Sequence, residues 1–128
     1  ILGFDFGMKK IGIATGQTIT RTATPLCQLQ TVDGVPNWEE MDKIFQEWQP
    51  KACVIGLPFN ADGSDSPLVP RARSFARKLQ KRYLNIECHF IDEHLTSFEA
   101  RQLMKGTKAT QVDATAAMLI LESWLASS

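Results

Sequence analysis

The chain has 128 residues, with 14 basic and 14 acidic side chains and a formal net charge of zero. Hydrophobic residues make up 44% and charged residues 22%, a balance typical of a soluble globular protein and not of a disordered one. This length fits a single domain, residues 1–128, and the neutral charge excludes a polycation that binds nucleic acid with its whole surface. No apolar run approaches the roughly 18 residues of a membrane-spanning helix, and no signal peptide opens the chain, so we expect a cytoplasmic protein.

Three strands are predicted at the start of the chain. Ile1–Phe6 is an apolar run, Ile11–Thr15 is its expected hairpin partner, and Arg21–Leu29 is a third strand-like segment. Because Pro25 interrupts the third segment, we expect that strand to lie toward an edge of the sheet. The first strand is expected to be central.

The rest of the chain is predicted to alternate between helices and strands. A helix capped by Asn37 carries an apolar stripe that we expect in the core: Met41, Ile44, Phe45 and Trp48. The later elements are a strand at Ala52–Gly56, a helix at Val69–Arg82, a strand at Ile86–Ile91, and helices at Phe98–Met104 and Val112–Leu125. This order predicts an α/β domain with a mixed five-stranded sheet flanked by helices.

Acidic residues stand at the ends of three of these elements. Asp5 ends the first apolar run, Asp92 and Glu93 end the strand at 86–91, and Asp113 lies in the first turn of the last helix. Burying an ionised carboxylate costs on the order of several kcal/mol unless a cation or water compensates it, although an aspartate before glycine is also ordinary turn chemistry. Carboxylates gathered at one sheet edge suit two Mg²⁺ ions that activate water for attack on a phosphodiester.

One predicted helix carries many basic residues and no acidic one. Its cations are Arg71, Arg73, Arg77, Lys78, Lys81 and Arg82. Such a run is often only a solvated face, but the absence of a balancing acid favours contact with phosphates. Lys9, Lys105 and Lys108 are further candidates for nucleic-acid contact.

Four motifs, in this order, resemble those of the YqgF (RuvX) family. They are Asp5-x-Gly7-x-Lys9-x-x-Gly12; Gly56-Leu57-Pro58-x-Asn60-x-Asp62-Gly63; Asp92-Glu93-x-Leu95-Thr96-Ser97 with Glu99-Ala100; and Asp113-x-x-Ala116-Ala117 with Ile120-Leu121. The resemblance implies a ribonuclease H-like fold and a nuclease similar to Holliday-junction resolvases, with a role in maturing the 5′ end of the 16S ribosomal RNA precursor. It also implies that Asp5, Glu93 and Asp113 are the catalytic acids, and that these three and Asp92 bind Mg²⁺ or Mn²⁺.

Two features depart from the family pattern. The segment Met104–Val112 is shorter than the glycine- and lysine-rich segment usual before the final aspartate. Since the chain also lacks a starting Met, we expect residues of a mobile loop to be missing there. Met8 stands where a small hydroxyl residue is commoner, which argues against phosphate binding by a hydroxyl group in this turn.

The sequence leaves three classes of function open. The first is a metal-dependent endonuclease that acts on structured RNA or on branched DNA. The second is a nucleic-acid-binding factor of the same fold that does not cut. The third is a phosphate-binding protein like the sugar kinases and actin, which would need a second large domain that 128 residues do not supply. RNA and DNA substrates, and monomer and homodimer, are not distinguished.

Overall fold

The computed structural model describes residues 1–57, 68–92 and 112–127. The strands in these ranges are β1 (Leu2–Asp5), β2 (Lys10–Gln17), β3 (Thr22–Val32), β4 (Val35–Pro36), β5 (Ala52–Leu57) and β6 (Glu87–Asp92). The helices in these ranges are α1 (Trp38–Trp48), α2 (Leu68–Arg82) and α3 (Val112–Ser127). The helix predicted at Phe98–Met104 lies outside the described residues.

The strands form one mixed sheet in the order β4-β3-β2-β1-β5-β6. β1 pairs antiparallel with β2 and parallel with β5, and β5 pairs parallel with β6. β1 is therefore central, and the carboxyl ends of β1, β5 and β6 share one edge of the sheet. The five predicted strands and the mixed sheet are confirmed.

β4 is a short addition to the predicted strands. Asp33 and Gly34 both have positive φ, 52° and 81°, and they join β3 to β4 in a tight turn. Successive positive φ values are typical of two-residue hairpin turns, for which Asp-Gly is a preferred sequence. The segment between β3 and α1 thus contains a hairpin that extends the sheet by one strand.

The two faces of the sheet are covered by different helices. Leu2, Phe4 and Phe6 of the first segment belong to a core cluster with residues of α1 and α2. Ala14 and Val54 belong to a second cluster with residues of α3. Side chains alternate between faces along a strand, so a residue's position in β1 decides which helices it faces. In the described part of the chain, no helix is both long and apolar enough to cross a membrane.

The cap and the apolar stripe of α1 are largely as predicted. The side-chain oxygen of Asn37 accepts hydrogen bonds from the backbone N–H groups of Glu39 and Glu40, at 2.9 and 3.4 Å. Met41 and Phe45 are buried, but the prediction that Trp48 lies in the core is wrong, because its exposed fraction is 42%. Trp48 is the last residue of α1, and the helix ends there with Gln49 in the left-handed conformation.

Candidate metal and nucleic-acid site

Asp5 ends the central strand with a glycine on each side. Its register partners are Gly12 on β2 and Gly56 on β5. Residues paired on neighbouring strands carry their side chains on the same face of the sheet. Neither neighbouring strand therefore places a side chain directly beside that of Asp5.

Asp5 lies on the face of the sheet that α3 covers. Gly3, two residues earlier, packs so closely on α3 that an added Cβ would lie 2.9 Å from the Cβ of Leu121 and 3.0 Å from the carbonyl oxygen of Ala117. Because side chains alternate along a strand, Asp5 shares this face with Gly3. Phe4 and Phe6, in contrast, belong to the cluster on the opposite face.

The direction of α3 brings its first turn to the same end of the sheet as Asp5. Ala117 contacts the position of Gly3, whereas Leu125 contacts that of Gly16. The N–H of Gly16 donates to the carbonyl of Ile1 at 2.8 Å, so Gly16 marks the beginning of β1. Asp113 precedes Ala117 by one turn, a rise of about 6 Å. The backbone of Asp113 therefore lies toward the end of β1 that carries Asp5.

The other predicted acids belong to the end of β6. Asp92 is the last residue of β6 and pairs in register with Leu57, the residue after the partner of Asp5. Two strand spacings, about 10 Å, separate β6 from β1. Glu93 lies outside the described residues. Among residues 1–57, 68–92 and 112–127, no group of three or more His, Cys, Asp or Glu side chains is close enough to hold a metal ion. The four-acid metal site therefore stays a prediction.

The turn after Asp5 is fixed by the hairpin that contains β4. The N–H of Gly34 donates to the carbonyl of Met8 at 3.1 Å, and the hydroxyl of Thr31 donates to the carbonyl of Gly7 at 3.3 Å. The N–H of Thr31 donates to the carbonyl of Lys9 at 2.8 Å, and the side chain of Lys9 is exposed. Lys9 is thus held at the edge with its side chain in solvent. The Asp33-Gly34 dipeptide was the signal for this hairpin.

The basic residues of α2 are exposed, but they have different surroundings. Arg82 forms a two-pronged salt bridge with Asp42 of α1, at 2.8 and 2.6 Å, and its guanidinium lies 5.4 Å from the ring centre of Trp38. The hydrogen bonds from Arg82 and Tyr83 lower the pKa of Asp42 to about 2. The acid that balances Arg82 therefore comes from another helix.

The remaining cations of α2 form no salt bridge within the part of the chain that the structure describes. They are Arg71, Arg73, Arg77, Lys78 and Lys81. Arg73 lies over the ring of Phe90 on β6, with 5.3 Å between the guanidinium carbon and the ring centre. Lys105 and Lys108 lie outside the described residues.

Comparison with known proteins gives matches over nearly the whole chain. The model of the RuvX family, described as Holliday junction resolvase, matches residues 1–127. A protein of Shewanella oneidensis is 46% identical over 130 residues, covering 97% of this chain and 92% of its own. A protein of Hydrogenovibrio crunogenus is 47% identical over 126 residues, covering 98% and 92%. Both carry the name “Putative pre-16S rRNA nuclease”.

Two solved structures are similar in fold. RuvC of Thermus thermophilus in complex with a Holliday junction substrate gives a TM-score of 0.51 at 13% identity, covering 93% of this chain and 89% of that chain. The Holliday junction resolvase of fowlpox virus gives a TM-score of 0.54 at 15% identity, covering 99% and 98%. At these identities the likeness concerns the fold alone, and it confirms the predicted ribonuclease H-like architecture.

Proposed function

The chain belongs to the RuvX family of Holliday junction resolvases, and we propose that it is a metal-dependent endonuclease that matures the 5′ end of the 16S rRNA precursor. The family membership agrees with the resemblance in its sequence motifs. The RNA substrate is supported by the name of two relatives that are 46% and 47% identical over almost their full length. The cytoplasm, where we expect the protein, suits such a substrate.

One observation carries the proposal of a metal site at the sheet edge. Asp5 and the first turn of α3, which contains Asp113, lie on the same face and toward the same end of the sheet. We assign Asp5, Glu93 and Asp113 as the catalytic metal-binding acids and Asp92 as a fourth metal-binding acid. Side chains alternate between the two faces of the sheet along β6, and this alternation favours Glu93 over Asp92 as a metal ligand. His89 and Ile91, two odd-numbered residues of β6, contact the α3 side, and Glu93 is the next odd-numbered position.

The residues suit a hard divalent cation. Carboxylate oxygens are the protein ligands that Mg²⁺ and Mn²⁺ prefer, and neither Gly12 nor Gly56 places a side chain beside Asp5. Bound there, such ions would supply the activation of a water molecule and the stabilisation of the leaving oxygen of a phosphodiester. The backbone of Asp5 is held by strand pairing on both sides, so its place at the sheet edge is fixed before the substrate arrives.

The exposed cations at this edge and along α2 would attract the substrate. Lys9 lies in the turn after Asp5, and the cations of α2 without a salt bridge in the described residues add positive charge. Contacts from lysine and arginine to phosphates position a nucleic acid without reading its sequence. Because the chain is neutral overall, binding would depend on this local charge.

A four-way DNA junction is the second candidate substrate. The family description and the fold shared with RuvC favour it. Symmetric cutting of a junction needs two active sites, so this function would require a dimer, whereas cleavage of an RNA strand would not. The oligomeric state therefore separates the two candidates as well.

Cleavage assays test the proposal directly. The protein is incubated with Mg²⁺ or Mn²⁺ and either a labelled 16S precursor fragment or a synthetic four-way junction. We expect cleavage near the mature 5′ end of the RNA. Asp5→Asn should lower its rate by roughly 100-fold or more, as when a group that stabilises transition-state charge is lost. Glu87→Gln, an exposed acid at the opposite end of β6, is the matched control and should retain activity.

Other outcomes of the cleavage assays would favour one of the alternative functions or contradict the assignment of Asp5. Cutting of the junction and not of the RNA would favour the DNA resolvase. Binding of both nucleic acids without cleavage of either would favour the factor that does not cut. Full activity of Asp5→Asn would contradict the assignment of this acid.

A further inference from the structure

A groove lies between the β3–β4 turn and α2. Residues 33–35 of the turn form one wall, and Arg71, Ser74 and Lys78 of α2 form the other. The rings of Phe6 and Phe75 line its floor. We call this feature the turn groove. Its β4 wall was not foreseen from the sequence.

The turn groove divides the basic residues of α2 into two groups. Arg71, Ser74 and Lys78 are spaced by three and four residues, so they form one stripe along the helix. Arg73 and Arg77 lie on the other flank of α2, where the guanidinium of Arg73 covers Phe90 of β6. The exposed cations therefore serve two separate surfaces, and those of the first line a groove.

The turn groove lies next to the sheet edge that carries Asp5. Phe6, on its floor, directly follows Asp5 in the chain. The turn that forms its outer wall is fixed to the same segment, because the N–H of Gly34 donates to the carbonyl of Met8 at 3.1 Å. A strand bound in the turn groove would thus approach this edge from the face that α2 covers, and it would pass over the edge to reach Asp5, which lies on the face that α3 covers.

The chemistry of the turn groove suits a phosphate and not a base. The two floor rings are buried, with exposed fractions of 4% for Phe6 and 2% for Phe75, and their centroids are 5.5 Å apart. They therefore offer no free face on which a base could stack. Arg71 and Lys78 are exposed and form no salt bridge within the described residues. The hydroxyl of Ser74 adds a hydrogen-bond donor.

We propose that the turn groove binds the phosphodiester backbone of one substrate strand, which continues over the edge of the sheet to the bond that is cut. This inference rests on the proposed function, because it takes the ligand to be the nucleic acid on which the enzyme acts. Arg71 and Lys78 are seven residues apart, about 10 Å along the helix, which matches the rise of roughly three stacked nucleotides. Asp33 is the acid of the turn groove, and its charge weakens the attraction for phosphate.

Two double variants with the same change in charge test this proposal. Arg71→Gln with Lys78→Gln removes the cations of the turn groove, and Arg73→Gln with Arg77→Gln removes two from the other flank. The probe is a labelled single-stranded fragment of the 16S precursor, and all variants carry Asp5→Asn so that the probe stays intact. Dissociation constants are measured at several salt concentrations, and circular dichroism checks the fold.

We expect the first pair to raise the dissociation constant by roughly tenfold and to lower the log–log salt slope by about 1.4, the value for two lost phosphate contacts on a single strand. The second pair should change the dissociation constant by less than about threefold, since it alters only the long-range electrostatic attraction and removes no contact with the bound strand. Asp33→Asn should strengthen binding by a few-fold, because it removes a negative charge from the turn groove.

Equal weakening by both pairs would overturn the proposal, because it would mean diffuse attraction to all of α2. Failure of the probe to bind, or unchanged binding by the first pair, would also overturn it. The proposed function is judged separately, by cleavage with the chain that retains Asp5. A protein that binds the probe through the turn groove but cuts neither RNA nor DNA would contradict the nuclease and support the turn groove.

Discussion

Gly3 of β1 lies directly against Leu121 of α3, with space for no side chain between them. A Cβ added to Gly3 would lie 2.9 Å from the Cβ of Leu121, closer than real Cβ atoms come to one another. Gly16 of β2 packs against the same leucine, but there the collision would be with the Cδ2 end of its side chain, at 2.6 Å. These two glycines let α3 lie close to the sheet, which sets the position of its first turn relative to Asp5.

The first prediction compares alanine at these two positions. Gly3→Ala and Gly16→Ala should each destabilise the protein by about 1–3 kcal/mol, the usual cost of an overpacked core. Leu121→Ala should relieve the collision at Gly16, because it removes the side-chain end. It should not relieve the collision at Gly3, because there the added Cβ meets the Cβ of Leu121 and the backbone oxygen of Ala117. Urea unfolding of the single and double variants measures both coupling energies. Equal coupling at the two positions would contradict this packing.

The second prediction concerns the salt bridge between Asp42 and Arg82. Arg82, with Tyr83, lowers the pKa of Asp42 from 3.8 to about 2. A lowered carboxyl pKa contributes stability above the pKa of the unfolded state, and this contribution is lost as the pH falls through the folded value. The salt bridge should therefore lose its contribution between about pH 4 and pH 2. Because both side chains are exposed, the effect should be small.

Unfolding by urea at pH 5, 3 and 2 measures this contribution. The difference in stability between the parent and Asp42→Asn should shrink as the pH falls. Asp33→Asn, an exposed acid outside any salt bridge of the described residues, is the control. A difference that stays constant down to pH 2 would show that the bridge does not lower the pKa of Asp42.

The third prediction concerns the three thiols. Cys27, Cys53 and Cys88 are all free, and burial raises the pKa of each. For Cys88 the pKa rises to about 11, which leaves about one molecule in ten thousand as thiolate at pH 7. The native protein should react slowly with a thiol-specific reagent, and the unfolded protein quickly. Fast reaction of Cys88 in the native protein, followed by mass spectrometry, would contradict this.

The fourth prediction concerns stabilisation by metal. Carboxylates gathered without a cation repel one another, and an ion that binds only the folded state stabilises it. Mg²⁺ at ten times its dissociation constant should add about 1.4 kcal/mol and raise the melting temperature. Asp5→Asn should remove most of this shift, whereas Glu87→Gln should keep it. An unchanged melting temperature of the parent in millimolar Mg²⁺ or Mn²⁺ would count against the site.

The sequence was most informative where burial is continuous. β5 is buried along its whole length, so its apolar run predicted a strand in the interior of the sheet. The cap at Asn37 was equally local, because it depends on residues two and three positions away. The same kind of local reasoning gave a wrong prediction for Trp48, since periodicity along α1 does not reveal where the core beneath the helix ends.

Features that depend on distant residues were not predictable. Asp42 and Arg82 are forty residues apart, and no pattern along α2 indicates that its last arginine is paired. The turn groove needs the β3–β4 hairpin to meet α2, which is a property of the fold. For the acids, the sequence suggested a common edge. The packing of Gly3 on α3 adds that Asp5 and the start of α3 share a face.

The central claim is that Asp5, Glu93 and Asp113 hold divalent metal at one edge of the sheet. A crystal structure of the protein soaked in Mn²⁺, with anomalous scattering recorded at the manganese edge, tests it most directly. We predict one or two peaks about 2.0–2.2 Å from carboxylate oxygens of Asp5 and at least one of the other two acids, and about 3.5–4 Å apart if two are bound. Manganese bound elsewhere, with Asp5 in contact with water alone, would contradict the account.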